Sequence, residues 1–298
     1  MIPLSVILPT HCPDRKRLDR VLDALAAQTL PRDSWELIVV DNASAPPVEV
    51  DLSRFPNGRL IREPVPGLSR ARRAGLHASS GGILVFVDDD NVLAPDYLQS
   101  AVEVMRHYPR LGAAGGKSVP EFETPPPPWI TGQYSLLALR DLGESALFAG
   151  WNREYPIFAP IGAGMVLRYN ALESWLNEPE PLLTDRTGNN LTSGGDNDIV
   201  LHILKSGWQV AYEPRLQLTH LIPAGRLDPE YLSRLNEAIQ ESWMRVLSLH
   251  GINPWPPLST TGAALRRAKA WLAHQSWRSP LHRIRWRGAC GHFQGRIA

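Results

Sequence analysis

The sequence predicts an α/β fold in which a mostly parallel sheet is flanked by helices. Short apolar runs alternate with segments of helical periodicity along residues 5–107, a pattern typical of parallel strands joined by helical crossovers. The runs lack polar alternation, as expected for strands that are covered on both faces. Polar residues follow three of the four runs, and in such sheets ligands bind beyond the carboxyl ends of the strands.

The first third of the chain accounts for four predicted strands and three predicted helices. The strands are Ser5–Leu8, Glu36–Val40, Arg59–Arg62 and Ile83–Val87. Asp14 is the predicted N-cap of the first helix. The buried face of that helix is predicted to consist of Leu18, Val21, Leu22, Leu25 and Ala26. Ser69–His77 and Pro95–His107 are the other two helices.

Residues 118–160 interrupt this alternation. They contain four consecutive prolines, Pro125–Pro128, followed by Trp129, which favours a stiff, extended segment. We interpret the segment as an excursion from the core that forms a wall or lid. A rigid surface loop is the alternative.

Regular structure is predicted again from residue 161 onward. The predicted elements are a strand at Ile161–Leu167, a helix at Ile199–Ser206 closed by Gly207, short strands at Val210–Tyr212 and Leu216–His220, and a helix at Pro229–Leu249. We expect one α/β domain over residues 1–230 and a basic helical extension over residues 231–298.

The composition excludes several classes of protein. With 43 % hydrophobic and 20 % charged residues, the chain is globular rather than disordered. Its two cysteines, Cys12 and Cys290, are too few for a disulfide scaffold or a cysteine-rich zinc site. Because no apolar window reaches about 18–20 residues and the start lacks signal-peptide features, we expect a cytoplasmic protein without a transmembrane helix.

The triplet Asp88–Asp90 is the strongest local signal. Adjacent carboxylates repel one another unless a cation neutralises them, and the apolar run Ile83–Val87 places these three at a strand end. Carboxylates at such a position suit Mg²⁺ or Mn²⁺, and both of these ions also bind phosphate oxygens. A solvated acidic turn is the alternative.

Two further residues are candidates for chemistry. Asp196 follows two glycines and precedes a predicted helix, whose N-terminus favours the ionised carboxylate that a general base requires. An ordinary N-cap is the alternative. His220 ends an alternating run, and its neutral imidazole could complete a metal site or contact a phosphate.

Two common phosphate-binding signatures do not fit. Gly112–Ser118 reads GAAGGKS, one residue short of the P-loop spacing. The first predicted strand is not followed by the Gly-x-Gly-x-x-Gly pattern of dinucleotide-binding enzymes.

Several motifs, taken in order, resemble those of family 2 glycosyltransferases of the GT-A fold. They are SVILPT at 5–10, VVDNAS at 39–44, PGLSRARRAG at 66–75, FVDDDN at 86–91, SGGDNDIVLHILKSGWQVAYEP at 193–214 and LTHLIPAGRL at 218–227. The last two blocks also resemble bacterial polysaccharide-biosynthesis transferases, including those of the hormogonium polysaccharide type. The resemblance covers about three quarters of the chain.

The resemblance implies a role for each matching residue. Asp196 is the implied catalytic base, and Asp90 and His220 are the implied partners of a divalent metal, Mn²⁺ or Mg²⁺. The implied nucleotide-binding residues are Pro9, Thr10, Asp41, Arg70, Asp88 and Asp89.

The chain departs from the family pattern at two positions. Gly195 stands where relatives carry a glutamate before the base, which puts in doubt any acceptor contact made by that glutamate. Arg73 stands where many relatives carry asparagine, so the wall beside the nucleotide is expected to differ.

The implied activity is the inverting transfer of a sugar from a nucleoside-diphosphate sugar, with UDP favoured, to a hydroxyl of a glycan or a lipid-linked acceptor. The implied setting is surface or extracellular polysaccharide biosynthesis. A nucleotidyltransferase of similar fold is one alternative, but the segment after the first strand, THCPDRKRLDR, lacks the glycine-rich loop expected there. A non-catalytic protein that binds nucleic acid or a membrane is another, but it leaves the acidic strand ends unexplained.

The end of the chain is strongly basic. Nine Lys and Arg residues and no acidic residue follow Glu241, and five of the ten tryptophans lie there. In residues 262–278, a predicted helix places Leu265, Trp271 and Leu272 on one face and Arg266 and Lys269 opposite. This pattern favours a peripheral contact with an anionic membrane through residues 262–298. Packing on the catalytic domain, a dimer contact and nucleic-acid binding are the alternatives, and nucleic acid is not expected.

Overall fold

The computed structural model describes residues 3–179 and 191–297 and divides into two compact units. The first unit comprises Met1–Glu121, Ala138–Pro181 and Ile199–Leu221, and the second comprises Phe122–Leu137, Leu182–Asp198 and Ile222–Ala298. Across these described ranges, no helix has both the length and the apolar character needed to cross a membrane.

Among the described residues, the first unit is built on a nine-stranded sheet with helices on both faces. The elements in chain order are β1 Leu4–Thr10, α1 Arg15–Ala26, β2 Trp35–Asn42, β3 Gly58–Glu63, α2 Leu68–Ala78, β4 Ile83–Phe86, β5 Asn91–Leu93, α3 Tyr97–His107, β6 Leu111–Phe122, β7 Leu147–Ala149, β8 Val166–Arg168, α4 Glu173–Leu176, α5 Gly195–Lys205 and β9 Gln209–Ile222. The last residue of β6, the last residue of β9 and the first turn of α5 belong to the second unit. The mostly parallel α/β architecture with flanking helices is confirmed.

The parallel half of the sheet contains β3, β2, β1 and β4, in that spatial order. β1 pairs in parallel with β2 on one side and with β4 on the other, and β2 pairs in parallel with β3. Thr10 therefore lies beside Asp41, and Ile7 beside Phe86. The predicted strands and helices of residues 5–107 are confirmed with shifts of one or two residues at their ends.

The antiparallel pairing in the other half of the sheet was not predicted, nor were strands β5, β6 and β7. β8 pairs antiparallel with β4 and with β6, and both β5 and β7 pair antiparallel with β9. The register of β5 on β9 places Asn91 opposite His220. These two paired residues are about 130 positions apart in the sequence.

Two apolar cores cover the two faces of the sheet. In β1, Leu4, Val6 and Leu8 face one core, whereas Ile7 faces the other, as the two-residue period of a strand requires. The buried positions predicted for α1 contribute to the first core, and α2 and the unit-1 part of α5 contribute to the second. Asp14 caps α1 as predicted, because its carboxylate accepts a hydrogen bond from the Arg17 N–H at 3.0 Å.

Four sequence predictions need correction. Residues 118–122 complete strand β6 and do not open an excursion, and the GAAGGKS segment lies inside that strand. The strand predicted at residues 161–167 is shorter, because Gly164 turns the chain at φ +70° before β8 begins. The two short strands predicted after residue 209 form one continuous strand, β9. Helix α5 begins four residues earlier than predicted, at Gly195.

The second unit contains three helices near its C-terminal end. They are α6 Pro229–Leu249, as predicted, α7 Thr260–Ala273 and α8 Pro280–Gln294. A fifth prediction also needs correction, since the sequence predicts one helix after residue 260 and the structure has two. α8 approaches α6 closely through small residues, since a Cβ atom on Gly291 would lie 1.9 Å from the Glu237 carbonyl oxygen.

Substituting Gly116 by alanine should destabilise the first unit. A Cβ atom at this position of β6 would lie 2.0 Å from the Leu216 carbonyl oxygen and 2.4 Å from that of Glu213, and backbone atoms of β9 cannot rotate away. We expect Gly116→Ala to lower the free energy of unfolding by about 2 kcal/mol or more, measured by urea denaturation. Gly82→Ala is the matched control, because a Cβ atom there would meet nothing within 4 Å. Equal stability of both variants would contradict the packing described.

Candidate active site at the strand ends

Polar side chains gather where the parallel strands of the first unit end. β1 ends with Pro9 and Thr10, β2 ends with Asp41 and Asn42, and Asp88–Asp90 follow β4 directly. Parallel pairing brings the carboxyl ends of these strands to one edge of the sheet. Thr10 and Asp41 are buried, whereas Asp88 and Asp89 are half-buried.

Each carboxylate of the cluster Asp88–Asp90 has a partner from a different element. The Thr10 hydroxyl, at the end of β1, donates a short hydrogen bond to Asp89. An Arg72 nitrogen, on α2, lies 3.3 Å from an Asp88 oxygen. His220 Nε2, on β9, lies 3.3 Å from Asp90 Oδ2. These contacts keep three adjacent acids together despite their mutual repulsion.

Arg72 is the residue that the sequence analysis missed. Its side chain is 2 % exposed, and its guanidinium lies over the Phe86 ring at 4.9 Å from the centroid. A buried guanidinium needs a charged partner, and Asp88 supplies one. Helical periodicity could have identified it, because Arg72 shares the buried face of α2 with Ser69 and Leu76.

Asp90 and His220 form an enclosed pair at this edge. Their side chains are 9 % and 4 % exposed. The neighbouring Asn91 donates to Asp90 at 2.9 Å, and its own buried Oδ1 has no hydrogen-bond partner among the described residues. A carboxylate, an imidazole and a spare amide oxygen are a donor set that suits Mn²⁺, so these residues fit the divalent cation that the family resemblance implies.

Asp41 is engaged with its own chain. Its carboxylate accepts hydrogen bonds from the Ser44 N–H at 3.0 Å and the Val48 N–H at 3.4 Å, and Arg62 donates to it at 2.8 Å. Burial acts to raise the pKa of Asp41, but the hydrogen bonds from Ser44 and Val48 and the charge of Arg62 outweigh it and hold this pKa below its ordinary value. Asp41 is therefore ionised at neutral pH and holds the loop after β2.

Two other arginines of α2 occupy a different setting. Arg70 and Arg73 line a cavity of about 480 Å³ together with Glu63 and His77. Arg73 also donates to the carbonyl oxygens of residues 175, 176 and 178 and lies over the Trp175 ring at 5.2 Å. Through these contacts the Arg73 side chain anchors the end of α4.

Asp196 lies in the second unit, half-buried in the first turn of α5. Two contacts to α6 hold this turn. Asp198 Oδ1 lies 2.8 Å from His250 Nε2, with both side chains less than 5 % exposed, and the Ser193 N–H donates to the Ser242 hydroxyl at 3.3 Å. The structure therefore groups Thr10, the carboxylate cluster and His220 in one unit, and Asp196 belongs to the other.

Replacing Asp41 by asparagine should cost stability in a pH-dependent way. Because the folded-state pKa lies below the unfolded value of about 3.9, the carboxylate stabilises the fold above about pH 4, and this contribution is lost as the pH falls through the folded-state pKa. We expect Asp41→Asn to lose about 1–3 kcal/mol at pH 7 and to approach wild-type stability below about pH 4. Urea denaturation at several pH values measures this. The exposed Asp33→Asn variant should show little deficit, and a deficit for Asp41→Asn that stays constant into acid would contradict the assignment.

Comparison with known proteins places these features in a family. Residues 5–164 match the family model described as glycosyl transferase family 2. An uncharacterized glycosyltransferase of Haemophilus influenzae is 31 % identical over 110 residues, which cover 36 % of this chain and 36 % of the relative. An N-acetylglucosaminyltransferase of Rhizobium meliloti is 25 % identical over 268 residues, covering 87 % of this chain and 61 % of the relative. The chain thus spans less than two thirds of the length of either relative.

Solved structures with the same fold include S. aureus TarS 1–349. That structure has a TM-score of 0.53 and 13 % identity over 99 % of this chain and 90 % of TarS 1–349. A complex of the same TarS fragment with UDP-GlcNAc has a TM-score of 0.54, 14 % identity and the same coverage. At this level of identity the likeness concerns the fold, and it confirms the predicted GT-A architecture.

The family match extends over more than half of the chain and includes the ends of β1, β2 and β4 with the carboxylate cluster. It favours the transferase interpretation over the nucleotidyltransferase alternative. The protein therefore belongs to glycosyl transferase family 2.

Proposed function

We propose that the protein transfers a sugar from a nucleoside-diphosphate sugar to an acceptor hydroxyl with inversion at the anomeric carbon. The observation that carries the proposal is the carboxylate cluster Asp88–Asp90, held at the strand ends by Thr10, Arg72 and His220. UDP-sugars are the favoured donors, because the TarS fragment of similar fold was solved with UDP and with UDP-GlcNAc.

The strand ends of the first unit hold the donor in this proposal. Pro9, Thr10, Asp41 and Arg70 bind the nucleotide, and Asp88 and Asp89 contact the ribose and diphosphate. Thr10 and Arg72 orient Asp89 and Asp88 before the donor arrives, which reduces the ordering that binding requires.

Asp90 and His220 would hold a divalent metal, with Asn91 beside them. When bound, the metal neutralises the negative charge on the diphosphate of the donor. The burial of Asp90 and His220 strengthens their electrostatic interactions with a bound cation.

Asp196 is the general base of the proposed reaction. Its place in the first turn of α5 favours the ionised carboxylate. It takes the proton of the acceptor hydroxyl as that oxygen forms its bond to the anomeric carbon and the nucleoside diphosphate leaves from the opposite face. A single displacement of this kind inverts the configuration.

The acceptor is a glycan or a lipid-linked acceptor, and the setting is surface or extracellular polysaccharide biosynthesis. Gly195 precedes the base and offers no side chain to an acceptor. The two cysteines, Cys12 and Cys290, are both free thiols, which supports a reducing, cytoplasmic compartment.

Asp196→Asn should abolish turnover and leave donor binding intact. Removing a general base typically costs about 10²–10⁴-fold in rate, so we expect kcat to fall at least about 100-fold while the affinity for UDP changes less than about twofold. Release of UDP from UDP-GlcNAc with a panel of glycan acceptors gives the rate, and calorimetry gives the affinity. Asp33→Asn, at an exposed carboxylate of the first unit, is the control, and near-normal turnover by Asp196→Asn would disprove the base assignment.

Metal should strengthen UDP binding through Asp90. We expect the wild type to bind UDP at least about tenfold more tightly with Mn²⁺ than with EDTA, a gain of about 1.4 kcal/mol. Asp90→Asn should lose most of that gain while its affinity in EDTA stays the same. Asp96→Asn makes the same charge change at an exposed position six residues later and should keep the gain. A wild-type affinity that does not respond to Mn²⁺ would argue against a metal at this site.

A further inference from the structure

Helix α7 turns its large apolar side chains away from the helices it packs on. Its buried residues are Ala263 and Ala270, which are seven positions apart and so share one face. Leu265 and Leu272, also seven apart, are 68 % and 60 % exposed and lie on the opposite face. The helix therefore packs through alanines and presents leucines to solvent, the reverse of an ordinary amphipathic helix.

Two tryptophans extend this apolar surface. Trp271 on α7 and Trp277 in the following loop are 41 % and 56 % exposed. Their ring centroids are 4.6 Å apart with the planes at 45°. We call Leu265, Leu272 and these two tryptophans the α7 face. Exposed large apolar residues are ordinary when scattered, but four of them on one short segment of chain mark an interaction surface.

Uncompensated positive charge lies on the same segment. Lys269 and Arg278 are exposed, and among the described residues neither has a carboxylate within 4 Å. The more buried Arg267 and Arg287, in contrast, both pair with Glu237. Because no acidic residue follows Glu241, no nearby carboxylate in the sequence balances these charges.

We propose that the α7 face docks on an anionic lipid surface. Leucine and tryptophan enter the boundary between headgroups and acyl chains, while Lys269 and Arg278 extend to the lipid phosphates. Nucleic acid would use the cations but leave exposed leucines without a partner. A symmetric contact between two copies through this face would bring two positively charged segments together, which is unfavourable. The proposal is independent of the transferase reaction.

The test is co-sedimentation of the full chain with vesicles in about 0.1 M salt. The vesicles contain either phosphatidylcholine alone or phosphatidylcholine with phosphatidylglycerol. We expect binding to the anionic vesicles only. The double variant Leu265→Gln/Leu272→Gln should bind at least about 100-fold more weakly, about tenfold for each leucine removed from the interface. Leu249→Gln, at a leucine of α6 that is 52 % exposed, should bind as the wild type does.

A charge variant tests the second half of the proposal. Lys269→Glu/Arg278→Glu should reduce binding to anionic vesicles at least about 25-fold, about fivefold for each cation lost. Arg106→Glu/Arg110→Glu, at exposed positions of the first unit, should have little effect. Since all these side chains are exposed, each variant should keep its helical content and its affinity for UDP. This separates a failure of membrane docking from a failure of folding or of the transferase site.

Three outcomes would overturn the proposal. One is an absence of vesicle binding by the wild type, and another is equal binding to neutral and anionic vesicles. The third is a protein that binds duplex DNA, or forms dimers by light scattering, through the residues tested and does not bind vesicles. Vesicle binding that falls in both double variants and not in their controls would establish the α7 face as a lipid-binding surface.

Discussion

Repulsion among three consecutive carboxylates is the constraint that organises the first unit. Asp88, Asp89 and Asp90 can lie together only because the chain supplies a cation, a hydroxyl and an imidazole from α2, β1 and β9. Thr10 and His220 come from distant parts of the sequence, so their contacts with the cluster depend on the parallel pairing of β1 with β4 and on the antiparallel pairing of β5 with β9. The contacts made by Asp89 and Asp90 therefore depend on strand pairing in both halves of the sheet.

Much of the parallel half follows from local patterns in the sequence. Buried strands are uninterrupted apolar runs in the sequence, the N-cap and the buried face of α1 follow from its residue pattern, and the predicted limits of α6 match the structure. The polar strand ends were visible for the same reason. Thr10 and Asp88–Asp90 directly follow or end such runs, so strand prediction alone brings them to one edge.

What the sequence did not reveal depends on contacts between distant segments. Strand β6 is rich in glycine and alanine, which have little strand propensity, and it forms because Gly116 admits the backbone of β9. The contact of Asp90 with His220 depends on a strand register that no local pattern encodes. Arg72 was not predicted as a site residue, and what distinguishes it from Arg70 is its position on the buried face of α2. The leucines of α7 were correctly predicted to share one face of the helix. Periodicity alone does not indicate whether such a face packs against other helices or is exposed to solvent, as it is here.

Glycines allow close contact between the helices of the second unit. Because a Cβ atom on Gly291 would lie 1.9 Å from the Glu237 carbonyl oxygen, the backbones of α6 and α8 come into contact at this position. The Trp286 indole donates to the Arg267 carbonyl at 3.1 Å and ties α7 to α8, while Asp198 and His250 tie the first turn of α5 to the end of α6. The segment that carries the α7 face and the turn that carries Asp196 are therefore linked through α8 and α6 by backbone contact and by hydrogen bonds.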